Sequence, residues 1–225
     1  MPCCRAKGNS EFYFAGFRRR METDMYKKQM ILQRIVCYAV LIAAALVFVY
    51  SLGILTDLYE NKLNYYAESY YRNGADPSTL MVLGSEIYYD MQEFNRDLTM
   101  AGIVLILLGT AQFVFQNHNR RKYYIANYIT VGVNTVAAVY YSYWGLNNIL
   151  SYKERYLTTL DFEAMKKWSE MLKFPYTEST FWFDASKVVF GVVLVAAVLN
   201  VLNLVWKVNL MNSEKKLVKA GKEGA

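Results

Sequence analysis

Cysteine, proline and histidine are scarce in this chain, and each scarcity closes off a class of protein. The three cysteines, Cys3, Cys4 and Cys37, all lie towards the N-terminal end. The later segments therefore cannot be a disulfide-stapled scaffold of the kind small secreted domains use. Of three prolines, Pro77 and Pro175 stand between long apolar runs rather than inside them. His118 is the single histidine and has two Asn neighbours. A metal site needs more ligands than that, and a Cys37–His118 nucleophilic pair would lack an orienting third group. There is no glycine-rich phosphate loop, no serine elbow and no zinc-ligand helix pattern. The expectation is a protein that is not an enzyme and holds no cofactor or metal.

Charge is missing from four stretches: Ile35–Thr56, Leu98–Gln116, Tyr124–Ile149 and Ala185–Trp206. Only Lys187 enters one of them, a turn from its start, where it can snorkel outward. About 20 apolar residues cross a bilayer as a helix. The mean hydropathy of +0.09 hides this, because strongly apolar and strongly polar segments alternate. The pattern predicts an all-α polytopic membrane protein, a four-transmembrane-helix bundle forming one domain over residues 1–225. The spans fall at about 35–56, 98–116, 124–149 and 185–206. The second and third are joined by the short basic link Asn117–Lys122, too polar for hydrocarbon.

The net charge of +6 is not spread as in a nucleic-acid binder. Residues 1–34, 117–123 and 207–225 hold 16 of the 25 basic residues and 5 of the 19 acidic ones. Residues 57–97 hold three basic against eight acidic. Basic residues gather on the cytoplasmic side of membrane proteins, so both termini are expected inside, with the bilayer as one partner and no nucleic acid. Residues 1–34 carry too long a charged region for a cleavable signal, which makes the first span a retained anchor. Phe12, Tyr13, Phe14 and Phe17 before Arg18-Arg19-Arg20 suit a segment at headgroup level. The tail from Asn209 is polar and Lys-rich, so partial disorder is expected there.

Outside the membrane the pattern predicts order. Leu55, Tyr59, Leu63, Tyr66 and Tyr70 recur at helical spacing. Asn73-Gly74-Ala75-Asp76-Pro77 signals a turn. Leu80, Leu83, Ile87, Met91, Phe94 and Leu98 then form a heptad-like seam from a helix capped by Ser78. Together they predict an extended helical extracytoplasmic hairpin over residues 57–97. A second outer segment, 150–184, contains an expected helix from Asp161 to Lys173, with Asp161 as its cap and Pro175 ending it. Phe181-Trp182-Phe183 reads as an aromatic anchor. Exposed tyrosines offer large contact area at low entropic cost, which makes Tyr66, Tyr70 and Tyr88 the candidate interaction surface.

Inside the spans, Gly102 and Gly109 share one face and permit close helix approach. Gln112, Asn127, Asn134, Asn200 and Asn203 are the candidate intramembrane polar cluster, because lipid offers amides no partners. They either tie helices together or line a cavity for a small solute. No buried acid or base accompanies them, which argues against a proton-coupled carrier. Four spans, both ends inside and two outer segments resemble the layout of claudin-like proteins and tetraspanins. Those families staple an outer segment with disulfides, and this chain has no cysteine there. A bacterial cytoplasmic membrane fits that lack. The expected function is an accessory, assembly or sensing subunit of a membrane complex, working through contact with another membrane protein or a second copy of itself. A small oligomeric carrier or channel is the alternative.

Overall fold

The computed structural model describes residues 7–59, 82–116, 124–172 and 178–223. Every regular element among them is a helix: α1 (Lys7–Tyr59), α2 (Glu86–Gln116), α3 (Tyr124–Thr159), α4 (Phe162–Leu172) and α5 (Phe181–Glu223). The four long helices form a bundle in the ring order α1, α2, α3, α5, each packed against its neighbours in that ring. The chain runs up, down, up, down, so the N-terminal part of α1 and the C-terminal part of α5 share one end. The short α4 sits at the other.

Three of the helices contain stretches long and apolar enough to cross a membrane: Lys27–Gly53, Glu86–Gln116 and Phe181–Ser213. This is the make-up of a helical membrane protein. The sequence pattern gives four such stretches, so the count differs by one. The exception is α3, whose apolar run over residues 124–149 is interrupted by Asn127, Asn134, Asn147 and Asn148 and by five tyrosines, Tyr124, Tyr128, Tyr140, Tyr141 and Tyr143. Amides and phenols lower its hydropathy without adding charge.

Within the apolar stretches the outward faces are mainly apolar. Ile35, Ile42 and Val49 on α1, Leu107 on α2, Val136 and Tyr140 on α3, and Val188, Val195 and Leu202 on α5 are all exposed. Inside, small residues set the spacing. A Cβ added at Gly102 would lie 2.9 Å from the Phe48 Cα, and one at Gly109 would lie 3.1 Å from a Leu41 methyl. Both glycines thus face α1, as their spacing predicts: Gly102 lets two backbones meet, and Gly109 makes room for the Leu41 and Val40 side chains. Gly145 does the same for a ring, since its Cβ would sit 2.5 Å from Phe190 Cζ.

The α4 end is closed by a packed layer. Val82–Ser85 forms a turn in which Gly84 takes a φ of +81°. Leu83 O accepts from Asp161 N at 3.0 Å, which docks this turn onto the α3–α4 corner. Asp161 Oδ1 accepts from Ala164 N at 3.0 Å and caps α4 as its position predicts. Tyr156 and Phe183 pack ring on ring beneath α4, and Met165 is buried with them. Arg155 bridges to Asp90 at 2.8 Å, and Lys153 to Asp184 at 2.7 Å.

Three expectations need correcting here. The apolar seam does not continue through Gly84 as one helix: α2 begins at Glu86, because Gly84 adopts a left-handed turn that a helix cannot contain, while Ser78 lies outside the described residues. Ile87, Met91, Phe94 and Leu98 do form a buried seam, but Leu83 is 67% exposed and is not part of it. The C-terminal segment is helical through Glu223, not partly disordered: residues 207–220 contain no proline or glycine and continue the helix of the last apolar run. Beyond the third apolar run the helix goes on: α3 continues to Thr159, so the first part of the second outer segment is its extension. Residues 60–81, with Tyr66, Tyr70 and the Asn73–Pro77 turn, lie outside the described residues. So do the basic link and His118.

Candidate functional site: two amide layers in the bundle core

α2, α3 and α5 each turn one amide side chain to the bundle axis at the same height. Gln112 is the hub. Its Nε2 donates to Asn200 Oδ1 at 2.6 Å, and its Oε1 accepts from Asn134 Nδ2 at 2.9 Å and from Asn200 Nδ2 at 3.1 Å. All three residues are at most 3% exposed. The exchange between Gln112 and Asn200 is reciprocal, so both ends of each amide are used. Such a pair fixes the rotation of two helices, since a shift of one residue would break both bonds.

A second layer lies one to two turns nearer the chain termini, three to seven residues along each helix or roughly 5–10 Å at 1.5 Å per residue. It draws on all four long helices. Gln29 Nε2 donates to Asn203 Oδ1 and to Gln33 Oε1, both at 3.2 Å. Gln33 Nε2 donates to the Gln116 carbonyl. The Cys37 thiol donates to Gln116 Oε1 at 3.0 Å. Lys207 Nζ reaches Gln33 Oε1 at 3.1 Å. With its amide turned to satisfy both ends, Asn127 donates to Phe115 O at 2.9 Å and accepts from Lys207 Nζ at 3.2 Å.

The five residues predicted as one cluster therefore divide. Gln112, Asn134 and Asn200 meet. Asn127 and Asn203 belong to the other layer, and among the described residues no hydrogen bond joins them to the three. Gln29, Gln33, Gln116 and Lys207 are partners the sequence reasoning missed. A signal for them exists: Gln29, Gln33 and Cys37 follow at steps of four along α1, a polar stripe entering an apolar run. Its distance from the midplane hid it.

The predicted outer surface fares differently. Tyr88 is 3% exposed, with its hydroxyl 3.6 Å from Met165 Sδ, so it is packing and not an interaction residue. The physical reason is that α4 folds back over it. Of the aromatic anchor, Phe181 is 63% exposed while Phe183 is buried and Trp182 packs on Tyr50. Exposed apolar side chains among the described residues at this end include Leu83, Leu157 and Phe181.

Burial raises the pKa of Tyr152 and Tyr156 above the ordinary phenol value. For Tyr152 the Asp90 carboxylate adds to the shift, and for Tyr156 the neighbouring Tyr88 hydroxyl opposes it. Above about pH 10, where an unfolded tyrosine ionises, the folded layer holds protons the unfolded chain has lost. Stability then falls with rising pH. The thermal midpoint in detergent should be level from pH 7 to 9 and drop beyond pH 10. Tyr156→Phe should lessen that drop; an identical profile for the variant would show that Tyr156 does not titrate on unfolding.

No protein family, curated protein or solved structure matches this chain.

Proposed function

We propose that this is a four-span membrane protein that works by contact, as an accessory, assembly or sensing subunit of a membrane complex. Treating α3 as a fourth span rests on its place in the ring between α2 and α5 and on the exposed apolar stripe Ile129, Val133, Val136 and Val139. With four crossings both termini share one side. The basic excess at residues 1–34, 117–123 and 207–225 favours the cytoplasm for that side, and the cell membrane of a bacterium suits the lack of outer disulfides.

The observation that carries this reading is how the buried polar groups are used. The amides of both layers bond mainly to one another, and the cavity beside the inner triad is only ≈ 20 Å³. A bundle built this way holds a shape. The cavity at the triad has no room for a solute larger than water, which counts against a carrier or channel built on these amides. The ordered α4 end is then the surface on offer, with Leu83 and Leu157 standing exposed beside the charged face of α4, where Glu163, Lys166, Lys167 and Glu170 are solvated.

The test is purification of the native protein in mild detergent with mass spectrometry of its companions, repeated with Leu83→Glu and Leu157→Glu. A stoichiometric membrane protein lost from both variants is the expected result. Retention of every companion by both variants, or flux of a small solute through the protein in liposomes that Gln112→Leu abolishes, would sink the proposal.

A further inference from the structure

The cavity beside the inner amide triad is lined on three sides by small apolar residues, Ala43 and Ala44 of α1, Ala138 of α3, and Ala196 and Ala197 of α5. On its remaining side stand Asn134, Thr135 and Asn200. Two polar atoms there are unspent. Thr135 Oγ1 is sealed from solvent and has no hydrogen-bond partner. Asn134 is 3% exposed and donates through Nδ2 to Gln112, while its Oδ1 accepts no hydrogen bond from the described residues. An apolar cavity of this size would stay dry. This one has a hydroxyl that can donate or accept and an amide oxygen that can accept.

We propose that the cavity is a binding site for one ordered water molecule. The volume of ≈ 20 Å³ exceeds the roughly 10–15 Å³ of centre space a single water needs. The water donates to Asn134 Oδ1 and exchanges its second bond with Thr135 Oγ1. Asn200, which also lines the cavity, can add to its shell only by sharing bonds its amide already makes to Gln112. A metal ion does not fit the same space. Hard cations take about six or more oxygen ligands, no carboxylate lines the cavity, and the Gln112 and Asn200 oxygens are already acceptors. The site is neutral and takes a neutral ligand.

The water and Thr135 make the triad a five-member network, which α3 enters through two residues in place of one. It also explains the alanines. Larger side chains at Ala43, Ala138 or Ala197 would fill the void but strand Thr135 and Asn134 without partners, and an unsatisfied buried group costs more than a void of this size recovers.

Two measurements test this on the full-length protein. An experimental density map fine enough to show waters should carry a peak about 3 Å from both Asn134 Oδ1 and Thr135 Oγ1; an empty cavity overturns the proposal. Thr135→Val keeps shape and volume but removes the hydroxyl, and the sign of its effect discriminates. If a water is held, the variant should lower the thermal midpoint in detergent by roughly 2–5 °C, and Thr135→Ser should stay close to the parent. If the cavity is dry, the hydroxyl is an unpaired polar group and its removal leaves the midpoint unchanged or raises it; that result overturns the proposal. Should Thr135→Val fail to fold while Thr135→Ser folds normally, the hydroxyl requirement stands in its strongest form, and the density map decides what it binds.

Discussion

Gly84→Val should open the α4 end of the molecule. Two penalties act at one position. The φ of +81° is one that L residues avoid, and a β-branched residue most of all; the conformation alone costs about 1–2 kcal/mol. The new Cβ would also overlap the Thr159 carbonyl and lie 2.8 Å from Leu160 Cα. Both obstacles are backbone, at the corner where α3 meets α4, so neither can swing aside as a flexible side chain would. The turn must lift away, and the bond from Asp161 N to Leu83 O goes with it, about 1 kcal/mol more. The sum is about 3–5 kcal/mol, or a loss of roughly 10 °C or more in thermal midpoint for a chain of this size. Leu83→Ala next door, exposed and outside the core, should change almost nothing. Proteolysis should separate the cases: the glycine variant becomes cleavable near Thr159 and Leu160 while the spans stay protected. Equal stability of the two variants would mean the turn is not held where it lies.

The same turn shows where periodicity misleads. Steps of three and four run from Leu80 to Leu98 without interruption, and a count of apolar positions passes through Gly84 unopposed. The pattern records which residues the chain can bury on one face. It does not record that an isolated glycine weakens a helix by about 1 kcal/mol relative to alanine, nor that a distant corner at Thr159 waits for a backbone without a Cβ. Asp161 is the contrary case. Capping is local chemistry, a carboxylate reaching an amide three residues on, and it is legible from a short window. The apolar runs are legible for a similar reason, since the bilayer's thickness imposes a length that any window detects. Tyr88 fell between these. Its aromatic identity suggested contact, and contact it makes, but with Met165 of its own chain, because burial there is decided by α4 folding back over α2. The second amide layer escaped because its members are dispersed over Gln29, Gln33, Gln116, Asn127, Asn203 and Lys207, and nothing in the order of the chain says that these six meet.

Gln112→Leu is the substitution that should tell most about the membrane interior. One hydrogen bond between membrane helices is worth about 0.6 kcal/mol on average and at most about 1.7, so a residue making a single bond would barely register. Gln112 makes three. Leucine fills its volume but leaves Asn200 with neither donor nor acceptor and Asn134 without its acceptor, both sealed from water. Each stranded group costs about 1–3 kcal/mol, which puts the variant at about 3–4 kcal/mol below the parent. Asn134→Leu should cost less, because the reciprocal Gln112–Asn200 pair survives it. The informative variant is the triple one, Gln112→Leu with Asn134→Leu and Asn200→Leu. If the amides only hold helices together, removing all three partners strands far fewer groups, so the triple variant should recover most of what the single one loses. It should also keep any companion protein, since the α4 end is untouched. Recovery of stability with loss of function would instead place the amides in the protein's work. The comparison separates holding a shape from using a site, with stability and companion binding read on the same three proteins.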